Sequence, residues 1–220
     1  MSKNRQLLIK MLRKLKSMDH IRPESIPNIP IYMDQLTTFM DDQLATAKRY
    51  PEDKILTKTM INNYTKNGLL PPPEKKKYSK KHILLLSYIY YFKNMLTFRD
   101  ISVLFQAMSG EGSGAAGQLS MEEIYQQVFS MQAKQARKLT KDIIEKFYDS
   151  QKTFQDLDSV SYRDDLQLFS FICELGFDVY IKKTLMEYLI DELREQQLQQ
   201  SIRRKKTEDA SANTRKRTES

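Results

Sequence analysis

The chain has 220 residues, 40% of them apolar and 29% charged, with 36 Lys or Arg against 28 Asp or Glu for a formal net charge of +8. That length supports one moderate domain with an extension or two small ones, and the positive balance favours polyanionic partners without naming one. One cysteine, Cys173, excludes a disulfide framework within the monomer, two histidines far apart leave no metal-ligand spacing, and no apolar run approaches the ~20 residues of a bilayer span. Without a secretory leader the expected compartment is the cytoplasm, and neither metal nor cofactor is expected.

Residues 1–26 read as a basic N-terminal arm. Six basic residues and no acid stand between Ser2 and Met18, with Leu8, Met11, Leu12, Leu15 and Met18 on a helical stripe. Three readings of the stripe stay open: an arm packed loosely on the domain or on a partner subunit, additional phosphate contacts, or a membrane-surface helix that lacks an aromatic anchor. The three prolines Pro23, Pro27 and Pro30 predict an extended connector. From 31 to about 48, Ile31, Leu36, Phe39, Met40 and Leu44 repeat at helical spacing. Asp34 lies near the start, where the helix dipole suits an acid, and Asp41 and Asp42 are expected to face away from phosphate.

The segment 56–78 reads as a short helix, a glycine stop, a proline-stiffened hairpin and a lysine cluster. Thr57 is placed as an N-cap, and Asn67 and Gly68 supply left-handed residues at the end. On a helical wheel Met60, Ile61 and Tyr64 share a packing face, while Lys58, Thr59, Asn62, Asn63 and Lys66 fall largely on the other. Two adjacent asparagines lower helix propensity, and no burial pattern asks for them. An Asn amide pairs with the N6/N7 edge of adenine, Thr reaches a base or a thymine methyl, and Lys neutralises phosphate. The competing interpretation is the solvated face of an ordinary helix. Pro71, Pro72 and Pro73 then hold the chain extended before Lys75, Lys76 and Lys77, and Ser79 caps a helix whose first turn carries Lys80 and Lys81. From Lys54 through His82 the chain holds eight lysines, Lys54 included, and one acid, Glu74.

Ile83, Leu84, Leu86, Ile89, Tyr90 and Phe92 give the next helix a broad apolar face; its tyrosines suit a core better than a base-stacking platform. Thr97 and Asp100 start a shorter helix ending near Ala107, and the glycine-rich residues 108–118 read as a linker. Ser120 and Glu123 form a capping box for a helix of about 30 residues, with Ile124, Val128, Met131, Ala136, Leu139, Ile143 and Phe147 as its apolar positions. A helix over 159–175 is expected to stop at Gly176, another runs from Phe177 to about Gln200, and residues 203–220 read as a disordered basic tail. Charge divides along the chain: residues 1–118 hold 19 Lys or Arg against 10 Asp or Glu, and residues 119–200 hold 10 against 15. A basic front and acidic rear suit a DNA reader with a separate assembly or sensing domain.

The run Thr57 to Tyr64, followed by Asn67, Gly68, Leu69, Leu70, Pro71, the lysine wing and Tyr78, resembles the recognition helix and wing of MerR-type winged-helix regulators. The segment from Pro27 to about Phe105 resembles more closely an uncharacterised bacterial family held to be MerR-like transcriptional regulators. It departs from the MerR pattern in carrying Asn62 and Asn63 where that pattern has an arginine followed by a tyrosine. The resemblance implies a mainly α protein: a winged helix-turn-helix domain with a small β-wing over 27–107, and an all-helical dimerisation or effector domain over 119–202. The expected function is sequence-specific binding of double-stranded DNA as a homodimer on paired half-sites. The contacts would come from Lys58, Thr59, Asn62, Asn63, Lys66, Lys75, Lys76, Lys77, Lys80 and Lys81. The alternative is a helical adaptor meeting a protein or an anionic membrane surface. Rear aromatics suit a small-molecule effector pocket or a dimer core equally. No nucleophile motif or phosphate-binding glycine loop is present, so catalysis is not expected.

Overall fold

In the computed structural model, residues 3–17, 20–109 and 119–218 are described. The chain is mainly α, with a two-stranded antiparallel sheet. Helix α1 spans Lys3–Ser17; strand β1, Ile31–Tyr32, leads directly into α2, Met33–Gln43. Helix α3 is Lys58–Lys66, strand β2 is Lys77–Tyr78, and α4, Lys80–Phe92, follows it. Helices α5 (Phe98–Ser109), α6 (Met121–Ser150) and α7 (Val160–Thr218) complete the chain. In the sheet Ile31 pairs with Tyr78 and Tyr32 with Lys77, so the entry to α2 is bonded to the entry to α4.

The front core is built from one face each of α2, α3, α4 and α5, where Leu36, Met40, Ile61, Ile83, Leu86, Ile89 and Ile101 are fully buried. It extends past the unit expected over 27–107. Ile21 is fully buried, Tyr125 and Phe129 of α6 complete the same cluster, and the Tyr125 hydroxyl donates to the Ile21 carbonyl at 2.8 Å. Tyr88 stands in the middle of it, 5.4 Å from the Tyr125 ring and 5.5 Å from Phe129, and burial pushes its phenol up to about 12. Of the three α4 tyrosines weighed as a stacking platform, Tyr88 is core, and Tyr90 and Tyr91 pack half-buried against the same cluster. Along α6 the inward residues are Tyr125, Phe129, Ile143 and Phe147, whereas Val128, Met131 and Leu139, expected on the packing stripe, are exposed.

A second, smaller core joins α1 to the far half of α6 and the near half of α7 through Leu8, Ile143, Phe147 and Phe171. The basic N-terminal arm is therefore a docked helix: its Leu8, Met11, Leu12 and Leu15 enter this seam, and the Asn4 amide donates to the Asp164 carbonyl at 3.0 Å. Helix α6 is a beam shared by both cores, and α7 joins both as well, through Phe171 in the rear core and Ile190 in the front core. Between α6 and α7 the chain turns through Phe154 at φ +55°, and the buried Gln167 amide holds that turn by donating to the carbonyls of Gln151 and Thr153.

Two expectations about the rear half change. Gly176 does not stop a helix; α7 runs through it without a break. Gly costs about 1 kcal/mol in a helix interior relative to Ala, which the helix-forming residues on either side outweigh. The residues from 203 onward, expected to be disordered, continue α7 to Thr218, because Lys, Arg, Glu and Ala are good helix formers and no Pro or Gly interrupts them. The linker assigned to 108–118 lies, apart from its first two residues, outside the described residues.

Candidate nucleic-acid interface

The long connection before α3 is fixed where it matters. Ile55 and Leu56 are buried, the Ile55 carbonyl accepts from Lys93 Nζ at 2.9 Å, and its N–H donates to Asp41 Oδ1 at 3.3 Å. Burial pushes the Lys93 ammonium below its ordinary range, while the Lys48 hydrogen bond holds the Asp41 carboxyl below its own. Asp41 thus serves as a staple, with Lys48 Nζ 2.6 Å from its Oδ2. The connection exceeds an ordinary helix-turn-helix turn, yet it delivers Thr57 from a pinned end.

Thr57 caps α3 as expected: at φ −97°, ψ 159° its Oγ1 accepts from the Met60 N–H at 3.2 Å. At the other end Gly68 takes φ +73°, and the Leu69 and Leu70 N–H groups fold back on the Tyr64 carbonyl at 2.9 and 3.2 Å. Asn67, expected to be left-handed as well, sits at φ −90° and closes the turn through its side chain, donating to the Asn63 carbonyl at 2.7 Å. Ile61 and Tyr64 point into the core, with Tyr64 edge-on to Phe98 at 5.6 Å. Met60, expected to pack with them, is 37% exposed, since it lies a full 100° of helical wheel from Ile61, beyond Tyr64 at the rim of the packing face.

Lys58, Thr59, Asn62, Asn63 and Lys66 are all exposed, and the side-chain amides of Asn62 and Asn63 have no hydrogen-bond partner among the described residues. Two amides that disfavour the helix and satisfy nothing within it are held out on the α3 surface.

The lysine cluster forms a two-residue turn. Glu74 and Lys77 exchange backbone hydrogen bonds of 3.1 and 2.8 Å, with Lys75 at φ +48° and Lys76 at φ +65° between them. Two positive φ values in a two-residue loop match the mirror-image turn normally occupied by Asn-Gly. Each lysine there costs about 1–2 kcal/mol relative to a residue free to be left-handed. The turn holds because its outgoing arm is anchored: Tyr78 is buried, edge-on to His82 at 5.4 Å, and β2 pairs with β1. His82 in turn closes the α4 start, its Nδ1 accepting from the Ser79 N–H at 3.0 Å. Burial pushes the imidazole below its ordinary range; the nearby Pro71 and Pro72 carbonyls pull it upward, although neither completes a hydrogen bond to Nε2.

The start of α2 brings the two basic features together. Lys77 Nζ lies 5.1 Å over the exposed Tyr32 ring, and two residues on, Asp34 is ion-paired with Lys58 at the first turn of α3. Hairpin and helix therefore rise from neighbouring points of one scaffold, with Lys75 and Lys76 exposed at its tip. Lys80 leaves the group: its Nζ is 2.8 Å from Glu122 Oε1 of α6, where it ties the front core to the beam, so it is not part of the exposed lysine set. Lys81 is exposed, but it borders an open groove of about 850 Å³ between the end of α3, Pro71, Pro72, α5 and the start of α6. That groove lies on the front core, not in the helical rear where an effector pocket was considered.

Sequence reasoning missed Tyr32 and Arg99. Tyr32 was masked by its position at a helix entry; Arg99 is exposed in the first turn of α5 and lines an open groove of about 550 Å³ with Asn67. Residues 21–129 match the model of a family described as a domain of unknown function, DUF1836. The DUF1836 match begins at Ile21 and ends at Phe129, both in the front core, and it takes in α3, the hairpin and the first part of α6, while Ile190 of the same core lies outside it. No curated protein and no solved structure matches the chain. Among the described residues no helix is long and apolar enough to cross a membrane, and no group of three His, Cys, Asp or Glu is placed to hold a metal ion.

Proposed function

We propose that the front unit is a winged helix-turn-helix of MerR-like type and that the protein is a cytoplasmic, sequence-specific DNA-binding transcriptional regulator acting as a homodimer on paired half-sites. One observation carries this reading: the exposed, unpartnered amides of Asn62 and Asn63 lie on the same helix face as Lys58, Thr59 and Lys66, beside a lysine-tipped hairpin hung from the same end of α2. In this reading α3 enters the major groove, the Asn amides read adenine edges and Thr59 meets a base or a thymine methyl. Lys58, Lys66, Lys75 and Lys76 neutralise flanking phosphate, and Lys77 keeps the hairpin in place on Tyr32. The first-turn amides of α3 that Thr57 leaves open add positive potential toward phosphate.

Selection of bound sequences from a random duplex pool by the purified protein tests the reading. It predicts enrichment of a motif with two related half-sites spaced by about 34 Å or a multiple of it. An unenriched pool, together with tight binding to anionic vesicles, would replace it with the adaptor reading.

A further inference from the structure

We infer that the outward face of α1, carrying Lys10, Arg13 and Lys14, is a second contact with DNA and takes the phosphate backbone beyond the half-site read by α3. The inference rests on the DNA reading above and adds to it a surface outside α3 and the hairpin. Docking uses the apolar side of α1: Leu8, Met11, Leu12 and Leu15 enter the rear core, with the Asn4 amide bonded beside them. Those five positions fall within about 100° of helical wheel, and Lys10, Arg13 and Lys14, all exposed, fall within about 100° on the far side.

Nothing within the chain offsets this charge. Helix α1 carries no acid, and Lys10 stands three positions before Arg13 and four before Lys14, so like charges are neighbours on its surface, an arrangement that destabilises a helix. The helix dipole accounts for Lys14 and Lys16 in the last turn, but not for Lys10 and Arg13. Lys3 meets Asp165 at 3.6 Å, whereas Lys10 and Arg13 have no acid partner among the described residues. With the apolar stripe buried, one exposed leucine, Leu7, and no aromatic is left to enter a bilayer, so the cations are what α1 offers to a partner.

Position relative to α3 favours DNA over an acidic protein. Asp34 and Asp41 lie seven residues apart, two turns along one face of α2. Asp34 holds Lys58 of the first turn of α3, and Asp41 holds Lys48. At 1.5 Å per residue the two pairs are on the order of 10 Å apart along that face. An open groove of about 440 Å³ lies along it, lined by Thr37, Thr38, Lys54 and Thr57 as well as Lys58. Helix α1 is fastened at the Lys48 end, where Lys14 Nζ donates to the Lys48 carbonyl at 3.1 Å. Asp42, exposed on the groove, makes the groove itself a poor seat for phosphate, so a backbone leaving α3 along α2 finds its next cations on α1.

Anisotropy titrations at several salt concentrations test the contact, with one duplex ending at the paired half-sites and another extended by about one helical turn on each side. The double variant Lys10→Gln, Arg13→Gln keeps the Lys14 bond and is expected to keep the helical spectrum, since both side chains are exposed. On the extended duplex its slope of log affinity against log salt is expected to flatten by about 1.8, with affinity near 0.15 M salt down roughly 30-fold. On the short duplex both quantities should match the wild type. Equal slopes for variant and wild type on the extended duplex overturn the inference, as does the same flattening on both duplexes. An unchanged duplex slope with lost binding to phosphatidylserine vesicles also overturns it and gives the face to a membrane. In each of these cases a wild-type chain that still binds the half-site duplex leaves DNA reading by α3 intact; a wild-type chain that binds neither duplex refutes both.

Discussion

Replacing the two left-handed lysines by the residues their turn prefers, Lys75→Asn with Lys76→Gly, separates the shape of the hairpin from its charge. Both positions have positive φ, and each lysine costs about 1–2 kcal/mol there, a strain that Asn tolerates and Gly does not feel. Allowing for the extra freedom that Gly gives the unfolded chain, the double variant should gain about 1–2 kcal/mol in folding stability, or roughly 2–8 °C in Tm for a chain of this size. Removing two exposed cations takes away two phosphate contacts. The slope of log affinity against log salt should therefore flatten by about 1.8, and affinity near 0.15 M salt should fall by roughly 30-fold. Thermal melts and fluorescence-anisotropy titrations at several salt concentrations read the two effects on the same sample. A variant that is less stable would refute the turn geometry. One that is more stable with an unchanged salt slope would refute the contact of this hairpin with phosphate.

Asn62→Ala removes an exposed amide, so Tm should move by no more than about 0.5 kcal/mol in stability terms. Base preference at one position of each half-site should relax by about 1–3 kcal/mol, read by repeating the duplex selection. Lys80→Ala should leave the salt slope for DNA unchanged, because this lysine serves Glu122; exchanging the pair as Lys80→Glu with Glu122→Lys should recover whatever stability the single changes lose. The buried His82 prefers its neutral form, with a folded pKa below the unfolded value near 6.5. Just below that value the unfolded chain binds the extra proton first, so the contribution of His82 is present above about 6.5 and is lost as pH falls toward the folded pKa. Urea midpoints at pH 7.5 and 5.5 should show a drop that His82→Asn reduces; equal drops would place the titration elsewhere.

Much of α3 was legible because its signals are local. The hydroxyl of Thr57 caps the first turn, Gly68 takes positive φ without strain while Asn67, read as left-handed too, does not, and the Ile61/Tyr64 spacing sets the inward face. The capping pairs at Thr97 and Ser120 were readable for the same reason, and both form, with Ser120 Oγ accepting from Glu123 N–H at 3.2 Å and Thr97 Oγ1 from Asp100 N–H at 3.2 Å. What the sequence concealed depends on partners far along the chain. Lys80 looks like any other lysine of its cluster until Glu122, 42 positions away, is placed beside it. The apolar spacing of α6 admits more than one stripe, and the choice of Tyr125 and Phe129 over Val128 and Met131 is made by Ile21, Tyr88 and the rest of the front core. Gly176 looks like a stop because helices often end at glycine, but a stop requires positive φ, which this glycine lacks. The outward direction of Asn62 and Asn63 was legible; the small strand that joins the hairpin to α2, two residues on each side, was too short to leave a pattern.

The central claim, that the outer face of α3 and the lysine hairpin form one surface that meets DNA, is tested most directly by site-specific photocrosslinking. A photoreactive residue is placed in turn at position 62, at position 76 and, as a control on the rear unit, at the exposed position of Tyr148. The account predicts that positions 62 and 76 label the same half-site of a selected duplex, the first at bases and the second at the adjoining backbone, while position 148 labels nothing. Labelling from position 148 alone, or from 62 and 76 at unrelated sites, would contradict it.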